Sequence, residues 1–103
     1  KILMKKNIDH FNVLRKIQKN PKFTQRELAD TLNISLGKIN YCLKALRQKG
    51  YIKIKNFNDQ KNKLNYVYLL TPKGITEKTR LTINFMKLKM QEYDELNREL
   101  NRE

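Results

Sequence analysis

SLGKINYCLKALRQKG, residues 35–50, predicts an amphipathic helix with a marked start and a marked end. At about 100° per residue the apolar side chains share one side, and they are Leu36, Ile39, Cys42, Leu43 and Leu46. The opposite side carries Gly37, Asn40, Tyr41, Lys44 and Gln48. Ser35 is a good N-cap, and Gly50 supplies the left-handed residue at which helices commonly end. One face is therefore core, and the other is available to a partner.

The first turn of this predicted helix carries Lys38 and no acid, although helix N-termini are partially positive and favour Asp or Glu. That imbalance favours an anionic partner, because a phosphate at the N-terminus would supply negative charge. The amide, phenol and ammonium groups of Asn40, Tyr41 and Lys44 suit DNA base edges and phosphate oxygens. The alternative is a solvated polar face that binds nothing, which is common on helices in general.

The chain of 103 residues is long enough for one small domain, and it is strongly basic, with a net charge of +13. Residues 1–70 hold 16 basic and 4 acidic side chains, whereas residues 71–103 hold 7 and 6. The positive charge therefore belongs to the globular part and indicates a polyanionic partner such as nucleic acid.

Several other classes of protein do not fit this sequence. The lone cysteine, Cys42, rules out an intrachain disulfide and suits a reducing cytoplasm. No run of about 18 apolar residues is present to cross a membrane, and no apolar segment follows the basic N-terminus as in a signal peptide. The only histidine, His10, has no neighbours at the spacing of a metal site or a catalytic triad. We therefore expect no enzyme activity, no metal and no cofactor.

Two shorter helices are predicted before residue 35. The first, over residues 8–19, is indicated by apolar residues at three-residue spacing, namely Ile8, Phe11, Leu14 and Ile17. The second begins at a capping box formed by Thr24 and Glu27 and ends near Thr31. Residues 32–34 make a short turn in which Asn33 can take a left-handed conformation. Helix, short turn and helix is the helix-turn-helix arrangement.

After Gly50 the apolar period changes from about 3.6 to about 2, which indicates strands. The pattern predicts a hairpin of residues 51–55 and 64–70, joined by the polar tip NFNDQKNK, which carries Lys61 and Lys63. Such a tip is often only a solvated turn. Next to a helix-turn-helix, however, a basic hairpin is typical of a wing that reaches along DNA.

Residues 72–102 predict a final helix about 45 Å long, with Thr71 as N-cap and Pro72 at its first position. A domain of about 70 residues has a radius of gyration of only about 11 Å, so the helix extends beyond it. Its apolar residues follow a heptad-like spacing, and we expect these to make a dimer: Met86, Tyr93, Leu96 and Leu100. The alternative is a frayed, solvated end beyond Met90.

These elements, in this order, resemble the winged-helix regulators of the MarR type across residues 8–80. The resemblance rests on TQRELADTLNIS at the helix-turn-helix entry, LKALRQKGYI at the end of the third helix, and YLLTPKG at the start of the last. This last segment is similar to the family's leucine-threonine-x-x-glycine junction. The short chain and lysine-rich tip also resemble the small MarR-like subgroup associated with exopolysaccharide gene clusters.

The resemblance implies a dimer that binds operator DNA through the third helix and the wing. The residues predicted to bind DNA are Thr24, Gln25, Ser35, Gly37, Lys38, Asn40, Tyr41, Lys44, Lys61 and Lys63. The family's wing commonly has Asp-x-Arg, whereas this chain has Asp59-Gln60-Lys61, and lysine lacks the planar fork of arginine. Since no long extra helix precedes the first one, we expect dimerisation to rest on the final helix and the family's effector pocket to be missing.

The predicted fold is mainly α with a small β-hairpin. Residues 7–71 would form a winged helix-turn-helix DNA-binding domain, and residues 72–103 a long C-terminal dimerisation helix. The predicted function is a sequence-specific, cytoplasmic transcriptional regulator that binds a pseudo-palindromic operator as a homodimer, with no assigned effector. Two alternatives stay open: a winged-helix module that serves replication or binds RNA, and a protein-interaction adaptor whose basic surface is incidental.

Overall fold

The computed structural model describes residues 2–58 and 64–103, and it confirms the predicted mainly α fold with one hairpin. The helices are α1 (Ile2–Lys19), α2 (Gln25–Leu32), α3 (Leu36–Gln48) and α4 (Pro72–Asn101), and the strands are β1 (Ile52–Asn58) and β2 (Leu64–Leu70). Lys61 and Lys63, predicted at the hairpin tip, lie outside the described residues. No helix in the described part of the chain is long and apolar enough to cross a membrane.

The first helix begins at Ile2, well before the predicted start at residue 8. Leucine, methionine and lysine are all favourable helix formers, so the basic N-terminal segment continues the helix instead of preceding it. His10 consequently lies in the third turn of α1 rather than the first, and its side chain is buried.

The core lies where α1, α2, α3, the hairpin and the N-terminal part of α4 meet. Its buried side chains are Val13, Leu14, Ile17, Leu28, Ala29, Ile39, Cys42, Leu43, Leu46, Ile52, Tyr68 and Leu81. The predicted apolar side of α3 is therefore confirmed, except for Leu36, which is 44% exposed because the first turn of α3 extends past the core. The buried position of Cys42 also agrees with its predicted place on the core side of this helix.

The ends of the helices follow the predicted local chemistry. The hydroxyl of Thr24 accepts a hydrogen bond from the Glu27 amide at 3.1 Å, and the Glu27 carboxylate accepts one from the Thr24 amide at 3.1 Å. Asn33 ends α2 in a left-handed conformation with φ of 56°, Ser35 caps α3, and Gly50 has φ of 78°. These caps set the angle between α2 and α3 because each fixes the direction in which the chain enters or leaves a helix.

The two antiparallel strands of the hairpin pack on different helices: β1 contacts α3, and β2 contacts α1 and α4. The register runs from Ile52 opposite Leu70 to Asn58 opposite Leu64, so β1 starts one residue later and ends three residues later than predicted. Ile52 and Tyr68 are buried, and the Tyr68 amide donates to the Pro21 carbonyl at 3.1 Å. This last bond fastens the hairpin to the turn between α1 and α2.

The N-terminal part of α4 packs on the domain, and its C-terminal part extends beyond it. Leu81 is buried, and the Phe85 ring stacks on Phe11 of α1 with centroids 5.1 Å apart. The Arg80 guanidinium donates to the Glu77 carboxylate at 2.6 and 2.9 Å and lowers the pKa of Glu77. From residue 89 to the end every side chain is exposed.

Candidate nucleic-acid interface

The outward face of α3 is a continuous exposed strip. Gly37, Asn40, Tyr41, Lys44 and Gln48 are all exposed, as the sequence predicted, and Tyr41 is 62% exposed. A Cβ atom added at Gly37 would meet nothing within 4 Å. At the N-terminal end of the strip the helix backbone is therefore accessible to a partner, and the hydrogen-bonding side chains lie further along the helix.

The start of α3 differs from the expectation drawn from Lys38. The Lys38 ammonium pairs with the Asp9 carboxylate of α1 at 2.9 Å, and the Asp9 side chain is only 14% exposed. The acid that is missing from the first turn of α3 is thus supplied by another helix. Lys38 therefore gives less support to an anionic partner than its sequence position indicated, because part of its charge is already balanced within the chain.

The three other residues predicted near the helix starts also have partners in the chain. Thr24 and Ser35 cap α2 and α3, and their hydroxyls accept from the amides of Glu27 and Lys38 at 3.1 Å. The Gln25 side-chain amide donates to the Tyr68 hydroxyl of β2 at 3.3 Å. Each can still approach DNA, because Thr24 and Ser35 are exposed and Gln25 is half-buried.

The structure adds Arg47, which sequence reasoning missed. Arg47 is exposed in the last turn of α3 and lies seven residues after Asn40, so the two side chains share one flank of the helix. On the adjoining strand, Lys53 and Lys55 are exposed as well. The seven-residue spacing from Asn40 was the available signal, and it extends the exposed strip to the end of α3 on the side that faces the hairpin.

The exposed end of α4 carries a second surface. The predicted dimer residues Met86, Tyr93, Leu96 and Leu100 are 58–67% exposed. Ile83 and Met90, which the prediction omitted, are exposed too and continue the spacing of three and four residues typical of coiled coils. At about 100° per residue, this stripe is roughly 120° from the side of α4 that holds Leu81 and Phe85. It is therefore separate from the face that packs on the domain.

The described residues contain no cluster of three or more His, Cys, Asp or Glu side chains that could hold a metal ion.

Comparison with known proteins agrees with this geometry. Residues 10–53 match the family model of winged helix-turn-helix DNA-binding domains. This match covers less than half of the chain, and the likeness to solved MarR-type regulators is one of fold. No curated protein sequence gives a significant match.

Three solved structures illustrate the likeness in fold. MarR of Staphylococcus aureus, in complex with salicylate and kanamycin, is 24% identical, with 84% of this chain and 56% of that chain covered and a TM-score of 0.63. A mutant of ZitR from Lactococcus lactis is 22% identical, with coverages of 88% and 60% and a TM-score of 0.67. A candidate transcriptional regulator from Thermoplasma acidophilum is 18% identical, with coverages of 90% and 93% and a TM-score of 0.72. This chain thus spans little more than half the length of the first two proteins.

Proposed function

We propose that this protein is a sequence-specific transcriptional regulator that binds operator DNA as a homodimer. In this proposal α3 lies in the major groove, whose width admits one helix, and the basic hairpin reaches the neighbouring minor groove. The observation that carries the proposal is the exposed polar strip of α3, which stands beside a basic hairpin in a domain of the matching fold. The function needs no catalytic group, metal or cofactor.

The residues of the proposed interface have two roles, which are recognition of base edges and contact with phosphates. Asn40 and Tyr41 offer an amide and a phenol for base edges, and Lys44 offers a charge for guanine or for phosphate. Gly37 leaves room for the DNA to approach the helix backbone, because no side chain stands there. Thr24, Gln25 and Ser35 lie at helix starts, where backbone amides and hydroxyls commonly contact phosphates and fix the position of the protein.

The exposed stripe of α4 would supply the dimer contact. Two copies joined along their α4 helices would present two α3 helices related by a two-fold axis, which matches a pseudo-palindromic operator. Residues 90–103 carry 2 basic and 5 acidic side chains, so this end of α4 is repelled by DNA. The charge therefore favours an arrangement in which the dimer contact lies away from the duplex.

Selection from a random duplex library tests sequence specificity, and two variants then test the surface. We expect Asn40→Ala and Lys44→Ala each to weaken binding to the selected site by about 1–3 kcal/mol without lowering thermal stability, since both side chains are exposed. Lys87→Ala on α4 is the matched control for loss of a lysine. Unchanged binding by both α3 variants would show that another surface recognises the DNA.

The same selection separates the competing functions. A salt-dependent shift on duplex DNA without enrichment of any sequence would indicate a non-transcriptional nucleic-acid module. Preference for RNA over duplex DNA would lead to the same conclusion. Absence of binding to either polymer would leave the protein-interaction adaptor.

A further inference from the structure

A cleft of about 120 Å³ lies on the flank of α3 that faces the hairpin. Its apolar floor consists of Leu43 from α3, Ile54 from β1 and the ring of Tyr68 from β2. Its rim consists of Gln25, Asn40, Lys44 and Arg47. Four elements, namely α2, α3, β1 and β2, therefore contribute side chains to one cleft.

The rim of the cleft is rich in hydrogen-bond donors and positively charged. Lys44 and Arg47 lie three residues apart on α3, which places their side chains next to each other. Among the residues that the structure describes, no carboxylate lines the cleft. The Tyr68 hydroxyl accepts from Gln25 at 3.3 Å, and a hydroxyl that accepts can also donate its own proton. An anion with several acceptor oxygens fits this set of groups.

The position of the cleft identifies the anion, on the basis of the proposed function. In B-form DNA a single sugar-phosphate backbone separates the major groove from the adjacent minor groove. A protein with α3 in the first groove and its hairpin at the second must straddle that backbone. The cleft lies between these two elements, so it faces the phosphates that pass between them.

We propose that this cleft binds one backbone phosphate of the operator, with Arg47 as its principal ligand and Lys44 at its edge. Arg47 suits this role because its guanidinium can donate two parallel hydrogen bonds to one phosphate. Tyr68 acts as a positioning residue, since its hydroxyl holds the Gln25 amide at the rim. The contact adds affinity for every sequence, but it reads no base.

The test measures the salt dependence of binding to the selected duplex and to a random duplex. Neutralising one phosphate contact lowers the slope of log K against log salt by about 0.9. We expect Arg47→Ala to lower the slope by about 0.9 for each bound protomer, and so by about 1.8 for the dimer. It should do so on both duplexes and weaken binding to both by the same factor. Arg98→Ala on the exposed end of α4 removes the same charge and should leave the slope unchanged. Tyr68→Phe keeps the buried ring, and it should weaken binding to both duplexes less than Arg47→Ala does.

A neutral methylphosphonate, placed in turn at each position of the selected duplex, locates the phosphate. At one position in each half-site, the substitution should weaken binding by the wild-type protein and leave binding by the Arg47→Ala variant unchanged. An unchanged slope for Arg47→Ala overturns the proposal, and chemical shifts that respond to inorganic phosphate through Arg47 would then assign the cleft to a free anion. If that slope is unchanged while Asn40→Ala still weakens the selected site, only the phosphate site fails. If wild-type protein binds neither duplex, the regulatory function fails with it.

Discussion

Gly74 stands where α4 touches the turn before β1. A Cβ atom there would lie 1.9 Å from the Tyr51 carbonyl oxygen, which already accepts the Thr71 amide at 3.0 Å. The Thr71 hydroxyl donates to the Gly50 carbonyl and accepts from the Gly74 amide at 3.0 Å. The Leu-Thr-x-x-Gly sequence at this junction therefore has a steric basis: threonine caps α4, and glycine lets the helix approach the backbone of the preceding turn.

Replacing Gly74 with alanine should destabilise the protein. The added methyl group overlaps backbone that is held by hydrogen bonds, and overpacking of this kind costs about 1–3 kcal/mol or more. Chemical denaturation measures the loss. Gly37→Ala is the matched control, because a methyl group there meets open space and alanine favours a helix. Equal stability of the two variants would contradict this account of the junction.

The Asp9–Lys38 ion pair restrains binding in the proposed function, because a phosphate must compete with Asp9 for the ammonium group. We expect Asp9→Asn to raise affinity for every duplex and to steepen the salt slope by up to about 0.9 for each bound protomer, the value for one additional phosphate contact. Filter binding at several salt concentrations measures both effects. Asp30→Asn on α2 removes the same charge at an exposed position and serves as the control.

The double variant Asp9→Asn with Lys38→Ala isolates the pair. It should return the slope to the wild-type value, because the released ammonium is no longer present. A steeper slope in the double variant would mean that Asp9 acts through general repulsion of DNA and not through Lys38.

At the scale of the elements, the helix ends were predictable because each depends on residues within four positions. The Thr24 capping box and the Asn33 turn needed no information from the rest of the chain. The early start of α1 was missed because the basic N-terminal segment lacks a cap signal. The last residues of β1 were missed because asparagine is a poor strand former. There the strand pairing overrides the local preference of Asn56 and Asn58.

The candidate interface was only partly predictable, for a related reason. The exposed strip of α3 follows from helical periodicity alone, so Asn40 and Lys44 could be selected from the sequence. The Asp9–Lys38 pair and the Gln25–Tyr68 bond join residues 29 and 43 positions apart. Such contacts depend on how α1 and the hairpin pack on the helix-turn-helix, and no local pattern encodes that packing.

The wing gives a prediction for the hairpin as an element. We expect Lys61→Ala with Lys63→Ala to weaken binding to all duplexes alike and to lower the salt slope by about 2 for each bound protomer, since each lysine would neutralise one phosphate. Salt-dependent binding to random duplex measures it. The control is Lys87→Ala with Lys89→Ala, which removes two exposed lysines from α4. If both double variants bind alike, the wing does not contact DNA.

The whole molecule is elongated, and its charge is divided along its length. It measures 65 × 26 × 24 Å, with a radius of gyration of 17.0 Å, whereas a compact chain of this length has about 13 Å. The excess comes from α4, whose last turns touch nothing within the described chain. The domain end is strongly basic and the α4 end is acidic, so the molecule has one end suited to DNA and another suited to a different partner.

Truncation after Lys89 tests the proposal that this other partner is a second copy of the chain. Apolar side chains as exposed as those of Met90, Tyr93 and Leu100 favour burial at about 25 cal/mol per Å². The shortened chain keeps its core, which ends at Phe85, so we expect a folded monomer. It should bind a half-site weakly, because the second domain no longer benefits from a high effective concentration. Sedimentation velocity measures the mass, and a dimeric truncated chain would place the interface elsewhere.

A pair of full-length variants separates loss of the interface from loss of length. Tyr93→Glu places a charge on the exposed stripe, whereas Gln91→Glu places the same charge about 160° further around α4 at 100° per residue. We expect the first to dissociate the dimer and to weaken binding to a palindromic duplex, because an unpaired buried charge is costly. The second should remain dimeric. Neither change touches α3 or the hairpin, so half-site binding by the Tyr93→Glu monomer should differ from that of the truncated chain only through repulsion between DNA and the retained acidic segment. That difference should vanish as salt is raised, and a difference that persists at high salt would mean that α4 also positions the DNA-binding domain.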